Sequence, residues 1–130
     1  MIYRSKAPLR IGLAGGGTDV SPYSDEFGGA ILNATLSLNA YASIEPMQEG
    51  GIVLEALDRK EKQGFEWKSE LPINGTLDLL KGVYNRIQKD YGITQKNFKL
   101  STYVDAPAGS GLGTSSTLVV AILGAFVEML

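Results

Sequence analysis

The sequence predicts a mixed α+β domain built on a mostly antiparallel sheet. Short strand-like runs punctuated by glycine turns fill the first half of the chain, and two helical patterns come late. Between those helices lies one strand with a clear polar–apolar alternation, Phe98 to Val104.

Taken in order, Leu9 to Ala14 reads as a short buried strand closed by the glycine triplet Gly15-Gly16-Gly17. Two further strands follow, Ala30 to Leu36 and Ala40 to Glu45. Ile52 to Leu57 is the next, entered from a Gly50-Gly51 turn that signals a hairpin. Asp58 to Gly64 reads as a charged, solvent-facing turn, and Phe65-Glu66-Trp67 as a short edge strand. The first helix spans Leu77 to Tyr91. Thr76 is its expected N-cap, Asp78 suits the first turn, and Gly92 suits the C′ position. Leu77, Leu80, Tyr84, Ile87 and Tyr91 give it one apolar face. The last helix, from Ser115 onward, is apolar all round, which predicts burial on most sides. Its apolar run from Leu118 to Leu130 contains Glu128 and is too short to span a membrane.

Composition narrows the function. The chain has 130 residues, 44% hydrophobic and 20% charged, with a formal net charge of −2, which describes one ordinary globular domain. Its basic residues are scattered, so nucleic acid is not an expected partner, and neither is a membrane. There is no cysteine and no histidine, which removes disulfides, thiolate metal sites and the commonest general base. Any base is therefore a carboxylate or lies outside this chain. The N-terminus has no apolar core of signal-peptide length, so the expected location is cytoplasmic.

The most informative segment is Ala106-Pro107-Ala108-Gly109-Ser110-Gly111-Leu112-Gly113-Thr114-Ser115-Ser116-Thr117, set between a strand and a helix. Gly109, Gly111 and Gly113 let backbone N–H groups turn inward toward a ligand. The helix that follows offers unpaired N–H groups and a positive dipole end. Thr114, Ser115, Ser116 and Thr117 add hydroxyls able to cap the helix, bind phosphate or ligate Mg²⁺. This is a phosphate-binding loop in physical terms. It lacks the lysine of a Walker-type P-loop, and the chain ends before the acidic residue of a dinucleotide fold would occur.

Pro107-Ala108-Gly109-Ser110-Gly111-Leu112-Gly113-Thr114-Ser115-Ser116 resembles the phosphate loop of the GHMP kinases, the family of galactokinase, homoserine kinase, mevalonate kinase and phosphomevalonate kinase. Ala7-Pro8-Leu9-Arg10-Ile11-Gly12-Leu13-Ala14-Gly15-Gly16-Gly17-Thr18-Asp19 resembles the family's N-terminal motif. Galactokinases carry Glu and His where this chain has Gly16 and Gly17. The run Gly15 to Tyr23 is more similar to the heptose 7-phosphate kinases, with fucokinase-like enzymes close behind. Glycine at those positions leaves room for a larger or doubly anionic substrate.

The resemblance implies a two-layer fold of the ribosomal-protein-S5 domain-2 type with a left-handed βαβ crossover. It implies ATP and Mg²⁺ as cofactors, and a heptose 7-phosphate as acceptor at its anomeric hydroxyl. Fucose and galactose remain alternative acceptors. It further implies ATP phosphates bound by Gly109, Ser110, Gly111, Leu112, Gly113, Thr114, Ser115 and Ser116. Ser115 would ligate Mg²⁺, with Ser116 as its rival. Arg10 would be catalytic, and Gly16, Gly17, Thr18 and Asp19 would bind substrate. The alternatives are capping alone for the serines, an ion pair for Arg10, a turn role for Asp19, and a non-catalytic domain of the same fold. Family members are at least about twice this length, so the chain is expected to be an N-terminal ATP-binding domain ending within or just after the phosphate-loop helix. The catalytic base and acidic Mg²⁺ ligand are expected outside it, and the chain alone is expected to be inactive. Oligomeric state is left open, a dimer included.

Overall fold

The computed structural model describes residues 1–130. Five strands and three helices follow one another as β1 (Tyr3–Ala14), α1 (Tyr23–Phe27), β2 (Leu32–Pro46), β3 (Ile52–Ala56), β4 (Glu61–Phe65), α2 (Asp78–Tyr91), β5 (Phe98–Val104) and α3 (Thr114–Met129). The strands form one sheet in the order β1-β2-β5-β3-β4. All neighbours pair antiparallel except β3 and β5, which are parallel. A parallel pair needs a crossover, and β4 with α2 supplies it.

Alternation decides what each strand buries. Ala40, Ala42 and Ile44 on β2, Ile52, Leu54 and Ala56 on β3, and Phe98, Leu100, Thr102 and Val104 on β5 line up in register on one face. The helices cover that face. Phe98 sits between them, with its ring centroid 5.9 Å from both Tyr84 of α2 and Phe126 of α3. The opposite face is polar and open, with an ion pair between Lys99 and Glu55 at 2.6 Å. That lysine, opposing a smaller burial cost, holds the Glu55 carboxyl below the usual carboxylate range.

Several expectations need correcting. β1 begins at Tyr3 rather than Leu9. The two strands expected between Ala30 and Glu45 are one strand with an irregularity, since β1 pairs Pro8 with Asn39 and then Arg10 with Thr35. Pro8 has no N–H to continue the ladder, and the extra β2 residues bulge opposite it. Gly50-Gly51 does not make a β2–β3 hairpin, because β5 lies between those strands. Turn chemistry was legible there, but pairing was decided by the later strand. The hairpin is instead β3–β4, so part of the expected charged turn is the edge strand Glu61–Phe65, and of Phe65-Glu66-Trp67 only Phe65 belongs to it.

α2 runs Asp78–Tyr91 and ends at Gly92 in the left-handed region, as expected. Thr76 is not its cap. Leu77 holds that position at φ 54°, and Lys81 beneath it is fully buried. The Lys81 ammonium donates to Asn74 Oδ1 at 2.6 Å and lies over the Phe65 ring. α3 is not buried on most sides: Val120, Leu123 and Val127 are exposed. No helix is long and apolar enough to cross a membrane.

Candidate functional site at the loop before α3

Beyond the irregularity at Pro8 only β1 and β2 continue, pairing Arg10–Ala14 with Leu32–Thr35 as a two-stranded ribbon. Arg10 stands at its base. The Arg10 N–H donates to the Leu112 carbonyl at 3.2 Å, fastening the loop Pro107–Gly113 to the sheet edge. The guanidinium lies against that loop as well. A β-carbon placed on Gly113 would sit 3.6 Å from Arg10 Cζ and Nε. Arg10 is exposed and pairs with no carboxylate, so the ion-pair alternative fails.

The loop turns by repeated left-handed glycines, at φ 79° for Gly109, 74° for Gly111 and 71° for Gly113. Residues with a Cβ avoid this region, which is why glycine recurs at every second position. Apart from Ser110 N–H to the Pro107 carbonyl, the N–H groups from Gly109 through Ser116 have no acceptor within the protein. The hydroxyls of Thr114, Ser115 and Ser116 cap nothing: α3 has no side-chain cap bond. Capping alone therefore does not explain them. Free N–H groups, a helix dipole and a guanidinium converge on one loop and create positive potential without a buried charge.

A small cavity of about 70 Å³ opens beside Thr114 and Ser115, lined also by Asp58, Arg59, Leu79 and Ala108. The sequence reading missed Asp58, Arg59 and Leu79, which lie far from the loop along the chain and reach it only through the β3–β4 turn and the start of α2. No local pattern could have found them. Asp78 fixes that helix start by accepting from Asn74 N–H at 3.0 Å and Gly75 N–H at 2.8 Å. Burial raises its pKa, but these bonds and Lys81 outweigh it and hold the carboxyl below its usual range.

At the far end of the ribbon, Gly16, Gly17, Thr18 and Asp19 are grouped. Gly16 and Gly17 have open space around them and N–H groups without an internal acceptor. Asp19 is exposed and makes no side-chain hydrogen bond or ion pair. The Thr18 hydroxyl is different: it donates to Gly15 O at 2.7 Å and accepts from Ala30 N–H at 3.1 Å. Its hydroxyl ties the tip together and has little capacity left for a ligand. No cluster of three or more carboxylates exists to hold a metal ion. The unbonded Ser115 and Ser116 hydroxyls suit a cation shared with phosphate oxygens, and the free N–H groups suit the phosphates themselves.

Glycine-turned loop, helix N-terminus and adjacent arginine stand together at one edge of a mixed five-stranded α+β domain, an arrangement whose chemistry suits an anion. Residues 78–130 match the model of the GHMP kinases N terminal domain. The chain is 46% identical over 127 residues to a D-glycero-alpha-D-manno-heptose 7-phosphate kinase of Campylobacter jejuni, an alignment covering 98% of the chain and 38% of that enzyme. It is 31% identical over 145 aligned positions to an L-fucokinase/L-fucose-1-P guanylyltransferase of Bacteroides fragilis, covering 92% of the chain and 15% of that protein. The crystal structure of a D-glycero-D-manno-heptose 1-phosphate kinase from Bacteroides thetaiotaomicron superimposes with a TM-score of 0.92 at 58% identity, covering 99% of the chain and 42% of that structure. The chain belongs to the GHMP kinase family and has the fold of its N-terminal domain. It spans about two fifths of the length of the heptose kinases it matches.

Proposed function

We propose that the chain forms the N-terminal, ATP-binding domain of a longer sugar kinase, which transfers the terminal phosphoryl group of Mg·ATP to the anomeric hydroxyl of a heptose 7-phosphate. The product is a 1,7-bisphosphate. The observation that carries this reading is the set of unpaired N–H groups between Gly109 and Ser116, all but that of Ser110, with the Arg10 guanidinium beside Gly113. Phosphoryl transfer needs positioning and neutralisation of spreading negative charge, and this set of groups supplies both.

In this reading Gly109, Ser110, Gly111, Leu112, Gly113, Thr114, Ser115 and Ser116 hold the nucleotide phosphates. Ser115 Oγ contributes to the Mg²⁺ site; bound there, the ion would neutralise phosphate charge. Arg10 stabilises charge on the transferring group or polarises the attacking oxygen through its planar guanidinium. Gly16 and Gly17 offer N–H groups to the acceptor and Asp19 accepts from its hydroxyls. Thr18 acts at the tip through structure rather than contact. The base and the acidic Mg²⁺ ligand come from outside these residues, so the chain alone releases no ADP. A cytoplasmic enzyme of small metabolites fits the set, with no nucleic-acid or membrane partner.

The heptose phosphate is favoured by the small side chains at Gly15–Gly17 and by the 46% identity to the Campylobacter enzyme. L-Fucose is the second reading, favoured by the 31% identity to the Bacteroides fucokinase. ADP release by the full protein with Mg·ATP against heptose 7-phosphate, fucose and galactose separates them. Turnover confined to fucose discards the heptose, and no turnover with no ATP binding discards the kinase.

A further inference from the structure

The residues after Asp19 form a second feature that the loop chemistry leaves unused. α1 buries no residue, and of its five only Ser24 is half-buried. Two of its aromatic rings nonetheless lie together, with Tyr23 and Phe27 centroids 5.2 Å apart. They are 50% and 71% exposed. Beside them is an open cavity of about 450 Å³ lined by Thr18, Tyr23, Phe27, Gly28, Gly29 and Ala30.

Three properties of that cavity select its occupant. Its walls are mixed, two aromatic rings against a backbone of small residues, which fits a ligand that is apolar on one face and hydroxylated at its edge. Gly29 has no room for a side chain, because a β-carbon there would lie 2.2 Å from the Thr18 carbonyl oxygen. The Gly29 N–H has no acceptor within the protein, while the Thr18 hydroxyl is already committed to Gly15 and Ala30. The floor is thus rigid and its free donor is main chain. Asp19, exposed and with no side-chain partner, follows Thr18, and its Cα would lie 3.0 Å from a β-carbon on Gly29.

We propose that Tyr23 and Phe27 form a stacking platform for the carbon face of the sugar-phosphate acceptor, making α1 a specificity-determining element. This rests on the sugar-kinase reading and adds to it the surface that holds the sugar ring. The ring's C–H face lies on the aromatic pair, and its hydroxyls meet the Gly29 N–H and the Asp19 carboxylate.

The test is calorimetric titration of heptose 7-phosphate, and separately of Mg·ATP, into the full protein and into Tyr23→Ala, Phe27→Ala and Tyr23→Phe variants. The rings are exposed, so truncation leaves the core intact, and circular dichroism verifies that. Each alanine variant is expected to weaken heptose 7-phosphate by about tenfold or more, the scale of one lost aromatic face. Mg·ATP affinity is expected to be unchanged, and Tyr23→Phe to bind as the parent does. Equal heptose phosphate affinity in parent and alanine variants overturns the platform, and if turnover persists the kinase reading stands. Loss of a dimer in the variants at unchanged sugar affinity also overturns it, in favour of a second copy of the chain. Absence of both sugar binding and turnover in the parent overturns the platform and the kinase reading together.

Discussion

Gly15→Ala is expected to unfasten the tip of the ribbon. At Gly15 the backbone is left-handed, with φ 78°, and a β-carbon there would lie 1.9 Å from the Ala30 carbonyl oxygen. Ordinary contact begins near 3.4 Å, so backbone must move. The left-handed conformation costs an L-residue about 1 kcal/mol. Withdrawing Ala30 also breaks the bond its N–H donates to the Thr18 hydroxyl, at about 1 kcal/mol. The sum is about 2–3 kcal/mol of local stability, or roughly 30- to 150-fold in an opening equilibrium. Native-state hydrogen exchange at the Ala30 amide reads this directly. Gly16→Ala is the control, because nothing lies within 4 Å of its β-carbon. It is expected to change exchange by less than about threefold. Equal protection of Ala30 in the two variants would refute the claim that the Gly15–Ala30 approach holds the tip.

Other expectations follow from the same geometry. Lys81→Ala strands Asn74 Oδ1 and empties a fully buried site, so urea denaturation should show a loss of about 2–4 kcal/mol, with Lys81→Met losing less. Glu55 and Asp78 both have lowered pKa values in the fold, so their stabilisation is complete above the ordinary carboxylate range and disappears as pH falls through the folded values. Denaturation midpoints should therefore decline below about pH 4.5, the ordinary glutamate value, and Glu55→Gln should flatten that decline; an unchanged slope counts against the Lys99 pairing. In the full protein, Ser115→Ala and Arg10→Ala should each lower kcat by about 10²-fold or more without unfolding it. Normal kcat in either variant removes that residue from the proposed chemistry.

The helices and the central strand were legible because their signals are local. Phe98–Val104 alternates cleanly, and Gly92 stops α2 where the sequence said. The loop before α3 was legible for a related reason: a left-handed turn at every second residue leaves glycine as the only comfortable choice. Pairing was not local. Nothing in residues 30–56 announces that β5 will slot between β2 and β3, so the Gly50-Gly51 hairpin was a sound inference with the wrong partner. Thr18 was expected to bind substrate because it came with its motif; that its hydroxyl also accepts from the Ala30 N–H, arriving from the far side of the turn, no local pattern announces. Asp58 and Arg59 were read as solvated charge because only the fold brings their turn to the cavity beside Ser115.

The bond from Arg10 N–H to Leu112 O joins the loop directly to the root of the ribbon. Leu112 itself packs against the core, and past Pro8 the ribbon is only two strands thick. A load placed on the loop is therefore transmitted to the root of the ribbon, and a load at the ribbon's tip is felt at the loop. Two ligands seated at those ends share a single coupling free energy, of equal size whichever arrives first. The hinge through which they would communicate is a peptide amide, so no side-chain substitution can delete its hydrogen except the exchange of Arg10 for proline.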